Sequence, residues 1–139
     1  ELLLGAGADK DKAVQEGATP VFMASHEGHA EVVRLLLDKR ADVDKATDDA
    51  ATPLFIASEM GQAKVIELLL GAGADKDKAV QEGATPVFMA SHEGHAEVVR
   101  LLLDKRADVD KATDDAATPL FIASEMGQAK VIELLLGAG

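Results

Sequence analysis

The chain has no cysteine, which excludes disulfides, thiolate nucleophiles and cysteine-based zinc sites together. It also leaves the redox compartment open, so neither cytosol nor cell exterior is excluded. Long hydrophobic runs are missing too. Apolar residues come in threes and fours, as at Leu35 to Leu37, or with a Glu among them, as from Val65 to Leu70. No window approaches the ~20 apolar residues of a membrane-spanning helix, which excludes a transmembrane reading. The chain opens on Glu1, with no basic start leading into an apolar stretch, so no signal or transit peptide is expected. Its first residues read as the tail of something longer. What is present is an apolar fraction of 47% in 139 residues, enough to bury one continuous core.

Positive charge is in short supply: 14 Lys and Arg stand against 25 Asp and Glu, for a net charge of −11. An anion of this strength repels phosphate backbones, so neither nucleic acid nor an anionic membrane is an expected ligand. Basic proteins or peptides suit it better. The plainer alternative is that acidity keeps the chain soluble.

Residues 67–139 copy residues 1–73 letter for letter, a period of 66. Each unit, such as residues 8–73, holds 12 acidic and 7 basic residues, so the charge belongs to the repeat. Within it the halves align again, Gly17 to Asp42 with Ala50 to Asp75, at a spacing of 33. Four full repeats follow at 8–40, 41–73, 74–106 and 107–139, after a partial one at 1–7. No linker interrupts them, which predicts a single domain over 1–139.

Local physics reads one repeat directly. Thr19 supplies a side-chain oxygen to cap a helix and Pro20 suits its first position. This predicts a short helix from Pro20 to Glu27, stopped by Gly28, and a second from Ala30 to Asp38. Val33, Leu36 and Leu37 recur at i, i+3 and i+4, on one face. The Asp-rich stretch from Ala41 to Ala51 predicts an extended turn leading to the next Thr-Pro. Two short helices cannot bury such a face alone; stacking the next repeat against it does. A fold of this kind builds surfaces more readily than one unequal catalytic site.

The 33-residue period carries Thr19, Pro20, Ala24, Gly28, His29, Glu31, Val32, Val33, Leu35 to Leu37, Ala41 and Asp42, and resembles the ankyrin repeat over the whole chain. The resemblance implies an all-α solenoid of L-shaped units, each with two antiparallel helices and a β-turn finger, whose concave side binds other proteins. Two departures from the family stand out. Phe22, Phe55, Phe88 and Phe121 replace a usual His, trading a polar contact for apolar bulk. Arg40 and Arg106 take the place of the glycine that follows the second helix, kept at Gly73, where a left-handed residue costs about 1 kcal/mol. The finger glycine alternates the other way, kept at Gly17 and Gly83 and replaced by Ala50 and Ala116.

Motifs that could carry chemistry fail on spacing. His26-Glu27-Gly28-His29 approaches a zinc-protease motif, but its imidazoles are three apart and Gly28 breaks the helix. The expected role of His29 is a hydrogen bond between repeats, with His26 exposed. Gly71-Ala72-Gly73 follows a helix and lacks the third glycine of a dinucleotide fingerprint. Asp42, Asp44, Asp48 and Asp49 lack the glycine and closing glutamate of a calcium loop, which leaves weak surface cation binding as their most. Ser25 and His26, adjacent on a helix, point apart and form no nucleophile–base pair. Neither a cofactor nor a metal is expected, and no enzymatic activity.

By resemblance, partner contacts fall on the fingers and the exposed end of the first helices. These positions are Gln15, Glu16, Ala18, His26 and Glu27, then Asp48, Asp49, Ala51, Glu59 and Met60. Their copies are Gln81, Glu82, His92, Glu93, Asp114, Asp115, Glu125 and Met126. The expected function is a protein-binding scaffold for a basic or repetitive protein or peptide. The alternative is a structural segment or subunit of a head-to-tail filament, copies stacked end to end. It rests on end repeats that equal the internal ones, and on reading Glu1 to Leu4 as the end of a helix.

Overall fold

Thr19 Oγ1 accepts the backbone N–H of Phe22 at 3.2 Å, and Pro20 opens the helix behind it. The same cap recurs at Thr52, Thr85 and Thr118. The computed structural model describes residues 5–138, so the reading of Glu1 to Leu4 as a helix end lies outside the described residues. Those described residues form eight α-helices in four pairs and no strand. The first helix of each pair is α1 (Pro20–Glu27), α3 (Pro53–Met60), α5 (Pro86–Glu93) or α7 (Pro119–Met126). The second is α2 (Ala30–Asp38), α4 (Ala63–Gly71), α6 (Ala96–Asp104) or α8 (Ala129–Ala138).

Gly28, Gly61, Gly94 and Gly127 end the first helices in the left-handed conformation, with φ between 72° and 81°. The second helices end in a Schellman pattern in which the Ala41 N–H reaches back to the Leu36 carbonyl at 3.0 Å. The residue before Ala41 must then be left-handed. Arg40 has φ 66° and Arg106 φ 64°, against 91° for Gly73, so both arginines stand in the glycine conformation the sequence implies.

Helices pack in two rows. First helices lie side by side along α1, α3, α5 and α7, and second helices along α2, α4, α6 and α8, each touching its own partner. The apolar periodicity decides which face is hidden. Val33 and Leu36 are buried as expected, Leu37 is half-buried, and they join Val65, Ile66 and Leu69 and then Val98, Val99 and Leu102 in one core running through the stack. Each such side chain contributes about 1.5–3 kcal/mol on leaving water.

A second cluster lies at the base of the fingers: Phe22, Phe55 and Phe88 with Ala51 and Ala84. The phenylalanines that depart from the family pattern therefore build an apolar floor under the turns. This floor and the turns above it form the candidate site.

Among the described residues, no helix is long and apolar enough to cross a membrane. The polar turn from Ala41 is tied down by its aspartates. Asp42 Oδ1 accepts the N–H of Asp44, Asp44 accepts that of Asp75, and Asp77 that of Asp108, at 2.9–3.2 Å. Every step of this ladder joins a carboxylate either to its own turn or to the next repeat. The Asp-x-Asp pairs thus serve as connectors between turns.

Candidate functional site

Four hairpins project beside the first helices, each closed by a backbone bond: Val14 to Ala18, Thr47 to Ala51, Val80 to Ala84 and Thr113 to Ala117, at 2.9–3.0 Å. Neighbouring hairpins are bonded to each other. Asp48 N–H donates to the Glu16 carbonyl at 3.0 Å, Gln81 N–H to Asp49 at 3.3 Å, and Asp114 N–H to Glu82 at 3.0 Å. The two shorter bonds flank Gly17 and Gly83. A Cβ on Gly17 would come within 2.8 Å of Asp48 Oδ1 and 3.0 Å of its backbone nitrogen. The finger glycines are therefore kept where the next hairpin closes tightly, and the finger carrying Ala50 accepts the longer contact.

Glu16 has φ 74° in the first hairpin, whereas its copy Glu82 does not enter the positive-φ region. Gln81, beside Glu82, is held by the preceding hairpin through its backbone and through Nε2 on the Asp48 carbonyl at 3.2 Å. The described residues place no hairpin before Gln15 to do the same. Identical sequence thus gives two conformations according to its neighbours.

Between hairpins and first helices runs an open groove of about 720 Å³. Phe22, Met23, Phe55, Ile56, Val80, Ala84 and Met89 make its floor, and Glu16, Asp48, Asp49, Glu59 and Glu82 its rim, with Ala18, Ala51, Thr47 and Gln81 between. A second groove of about 540 Å³ repeats it 66 residues later, with Phe88, Phe121 and Ile122 below and Glu82, Asp114, Asp115 and Glu125 above. Thr47 and Thr113 hydroxyls donate to Asp49 and Asp115, holding those two carboxylates at the hairpin turns.

Charge is segregated on the same side. The four hairpins and the four first helices contain ten Asp and Glu and neither Lys nor Arg. The remainder of the sequence holds 15 acidic and all 14 basic residues, so ten of the eleven net negative charges belong to the groove side. The second helices bear the compensated pairs. Arg34 bonds Glu31 at 3.0 Å, and Arg100 bonds both Glu97 and Asp104. The hydrogen bond and charge of Glu97 hold the Arg100 guanidinium above its ordinary value, fixing it as a cation outside the groove.

Of the residues expected from sequence, Glu16, Ala18, Asp48, Asp49, Ala51, Glu59, Gln81 and Glu82 line the first groove, and Glu82, Asp114, Asp115 and Glu125 the second. Gln15, Glu27, Met60, Glu93 and Met126 are exposed but line neither, and His26 and His92 are half-buried outside both. His26 is therefore less open than expected, its Nδ1 paired with Glu27 Oε2 at 2.8 Å. The bond between repeats expected of His29 is made by its copy: His95 Nε2 donates to the Glu59 carbonyl at 2.9 Å. Gln62 and Gln128 occupy the same position and reach His26 and His92 carbonyls at 3.1 Å. Ser25 is buried with its hydroxyl unpartnered, apart from the His26–Glu27 pair. The floor residues Met23, Ile56, Val80 and Met89 were not anticipated. Their signal was available in the 33-residue alignment, where each stands one place after a Phe or opens a hairpin.

Helix pairs stacked in two rows, linked by bonded hairpins that overhang an acidic groove, define the class: a repeat solenoid. The family comparison gives the same answer. The model for ankyrin repeats, in three copies, matches residues 1–80 and 72–139, and the chain belongs to the ankyrin repeat family. Ankyrin repeats are a general protein–protein interaction module. No curated protein sequence matches the chain.

Proposed function

We propose that the protein is a non-enzymatic scaffold that binds another protein through the side formed by its hairpins and first helices. The observation that carries this reading is the coincidence of groove and charge. An apolar floor in which Met23 is exposed and Ile56, Val80 and Met89 are half-buried, under eight rim carboxylates with no Lys or Arg among the hairpins and first helices, suits a partner that brings apolar side chains and positive charge. The test places a photo-crosslinking residue at Met23, a groove position 48% exposed, and separately at Lys64 on α4. Capture of a protein from cell extract at position 23 but not 64, suppressed by Asp48→Lys with Glu82→Lys, is the expected result. Equal capture at both positions would overturn the reading.

A second reading rests on a different observation. Leu54 and Phe55 are 0% and 6% exposed, but their copies Leu120 and Phe121 are 37% and 59% exposed. The repeat that covers Leu54 and Phe55 is 74–106, and the same sequence recurs at 8–40. A second copy offering the sequence of repeat 8–40 therefore carries the side chains that would cover Leu120 and Phe121, and end-to-end stacking of copies is the alternative role. Light scattering across concentration tests it: growth that Phe121→Glu abolishes supports stacking, and a constant monomer mass excludes it.

A further inference from the structure

We infer that the two grooves are occupied together by one continuous, extended, cationic segment of the partner, which presents an apolar side chain beside Lys or Arg at two places about 20 Å apart. This rests on the proposed scaffold role and names the ligand chemistry of its groove. Three observations lead to it.

The grooves are the same site twice, because the sequence repeats every 66 residues: Phe22, Asp48, Phe55 and Glu59 in one become Phe88, Asp114, Phe121 and Glu125 in the other. They also run into each other. Glu82 and Ala84 line both, so a single chain passes from one to the next without leaving the surface. Finally, neither lining contains Lys or Arg, and the nearest in sequence to the hairpins, Lys12, Lys45, Lys78 and Lys111, precede them.

Spacing fixes the form of the ligand. Packed helices stand about 8–10 Å apart, so two repeats advance the site by about 20 Å. An extended chain covers that distance in about six residues at 3.3–3.6 Å each. A strand-like segment in this frame turns alternate side chains down onto the apolar floor of each groove and leaves the others beside the acidic rim. Linking two such anchors makes the second contact intramolecular, so affinity depends on linker length as well as on charge.

The experiment uses fluorescence anisotropy on the full chain with synthetic Lys-Leu-Arg anchors, one alone or two set about four, six or ten residues apart through Gly-Ser linkers. The expected result is tightest binding at about six, at least ~10-fold above the single anchor, weakening as salt rises. Asp48→Asn with Glu59→Gln, or Asp114→Asn with Glu125→Gln, should each bring the two-anchor peptide down to single-anchor affinity while circular dichroism stays unchanged. Equal affinity at every spacing, or affinity indifferent to both double variants, overturns the inference. If every peptide fails while crosslinking at Met23 still captures a partner that needs Asp48 and Glu82, this ligand is wrong and the scaffold reading stands. Failure of both removes both.

Discussion

Gln62 lies across Gly28: its Nε2 donates to the His26 carbonyl at 3.1 Å, and its Oε1 stands 2.5 Å from where a Cβ on residue 28 would be. The glycine thus serves two purposes, its left-handed φ of 79° and the room for the next repeat's side chain. Gly127 has the first without the second, with φ 72° and nothing within 4 Å of an added Cβ. Gly127→Ala should therefore cost about 1 kcal/mol, the conformational penalty alone. Gly28→Ala should cost about 2 kcal/mol, because Gln62 must swing away and lose its bond. Urea denaturation of both variants measures the difference, and equal costs would show that Gln62 does not depend on Gly28.

Arg40 and Arg106 offer the reverse change. Both sit at positive φ where Gly73 shows what the position prefers. Arg40→Gly should raise stability by about 0.5–1 kcal/mol, the strain relieved less the entropy glycine gains when unfolded. Gly73→Ala should lower stability by a similar amount, since nothing crowds its Cβ. Thermal melts of the pair check the sign, and a lower melting temperature for Arg40→Gly would mean that the long side chain's packing outweighs the strain.

The hydroxyls of Ser25, Ser58 and Ser91 are buried without a partner, whereas that of their copy Ser124 donates to the Leu120 carbonyl at 2.8 Å. An unsatisfied buried hydroxyl costs roughly 1–3 kcal/mol. Ser58→Ala should therefore stabilise by about 1 kcal/mol, and Ser124→Ala should leave stability unchanged within about 0.5 kcal/mol. Chemical denaturation distinguishes them; a destabilised Ser58→Ala would reveal that this hydroxyl is satisfied in solution.

Much of this was legible in sequence because the controls are local. Thr19 and Pro20 start a helix and Gly28 stops it through contacts within a few residues, so both helix ranges of the first repeat follow from the letters alone. The positive φ of Arg40 was also legible, through the glycine that stands in its place at Gly73. What was not legible depends on neighbours. Glu16 and Glu82 are the same residue in the same local sequence, yet only Glu16 is left-handed, since a preceding hairpin holds Gln81. His29 and His95 likewise share a local sequence, and it is the neighbouring repeat that offers His95 the Glu59 carbonyl. For the groove, the rim could be read as exposed acidic positions, but the floor could not. Met23, Ile56 and Met89 look like ordinary helix residues until the stack brings first helices and hairpins together.

The segregated charge leads to a prediction about stability without any partner. Folding gathers ten carboxylates on the hairpin and first-helix side, where no Lys or Arg lies among them, so their mutual repulsion opposes the stack. Screening by salt acts over about 10 Å at 0.1 M, the scale of the spacing between repeats. The melting temperature should therefore rise with sodium chloride between low and physiological ionic strength. Asp48→Asn combined with Asp114→Asn should raise it by a few degrees at low salt and flatten the salt dependence. Asp38→Asn, on the exposed side of α2 where Lys39 and Arg40 follow, should do neither. Scanning calorimetry at stepped salt gives both quantities. A salt-independent melt would show that the hairpin carboxylates are already neutralised by their turns, and a fall with salt would show that the paired second-helix charges, such as Arg100 with Glu97, govern stability instead.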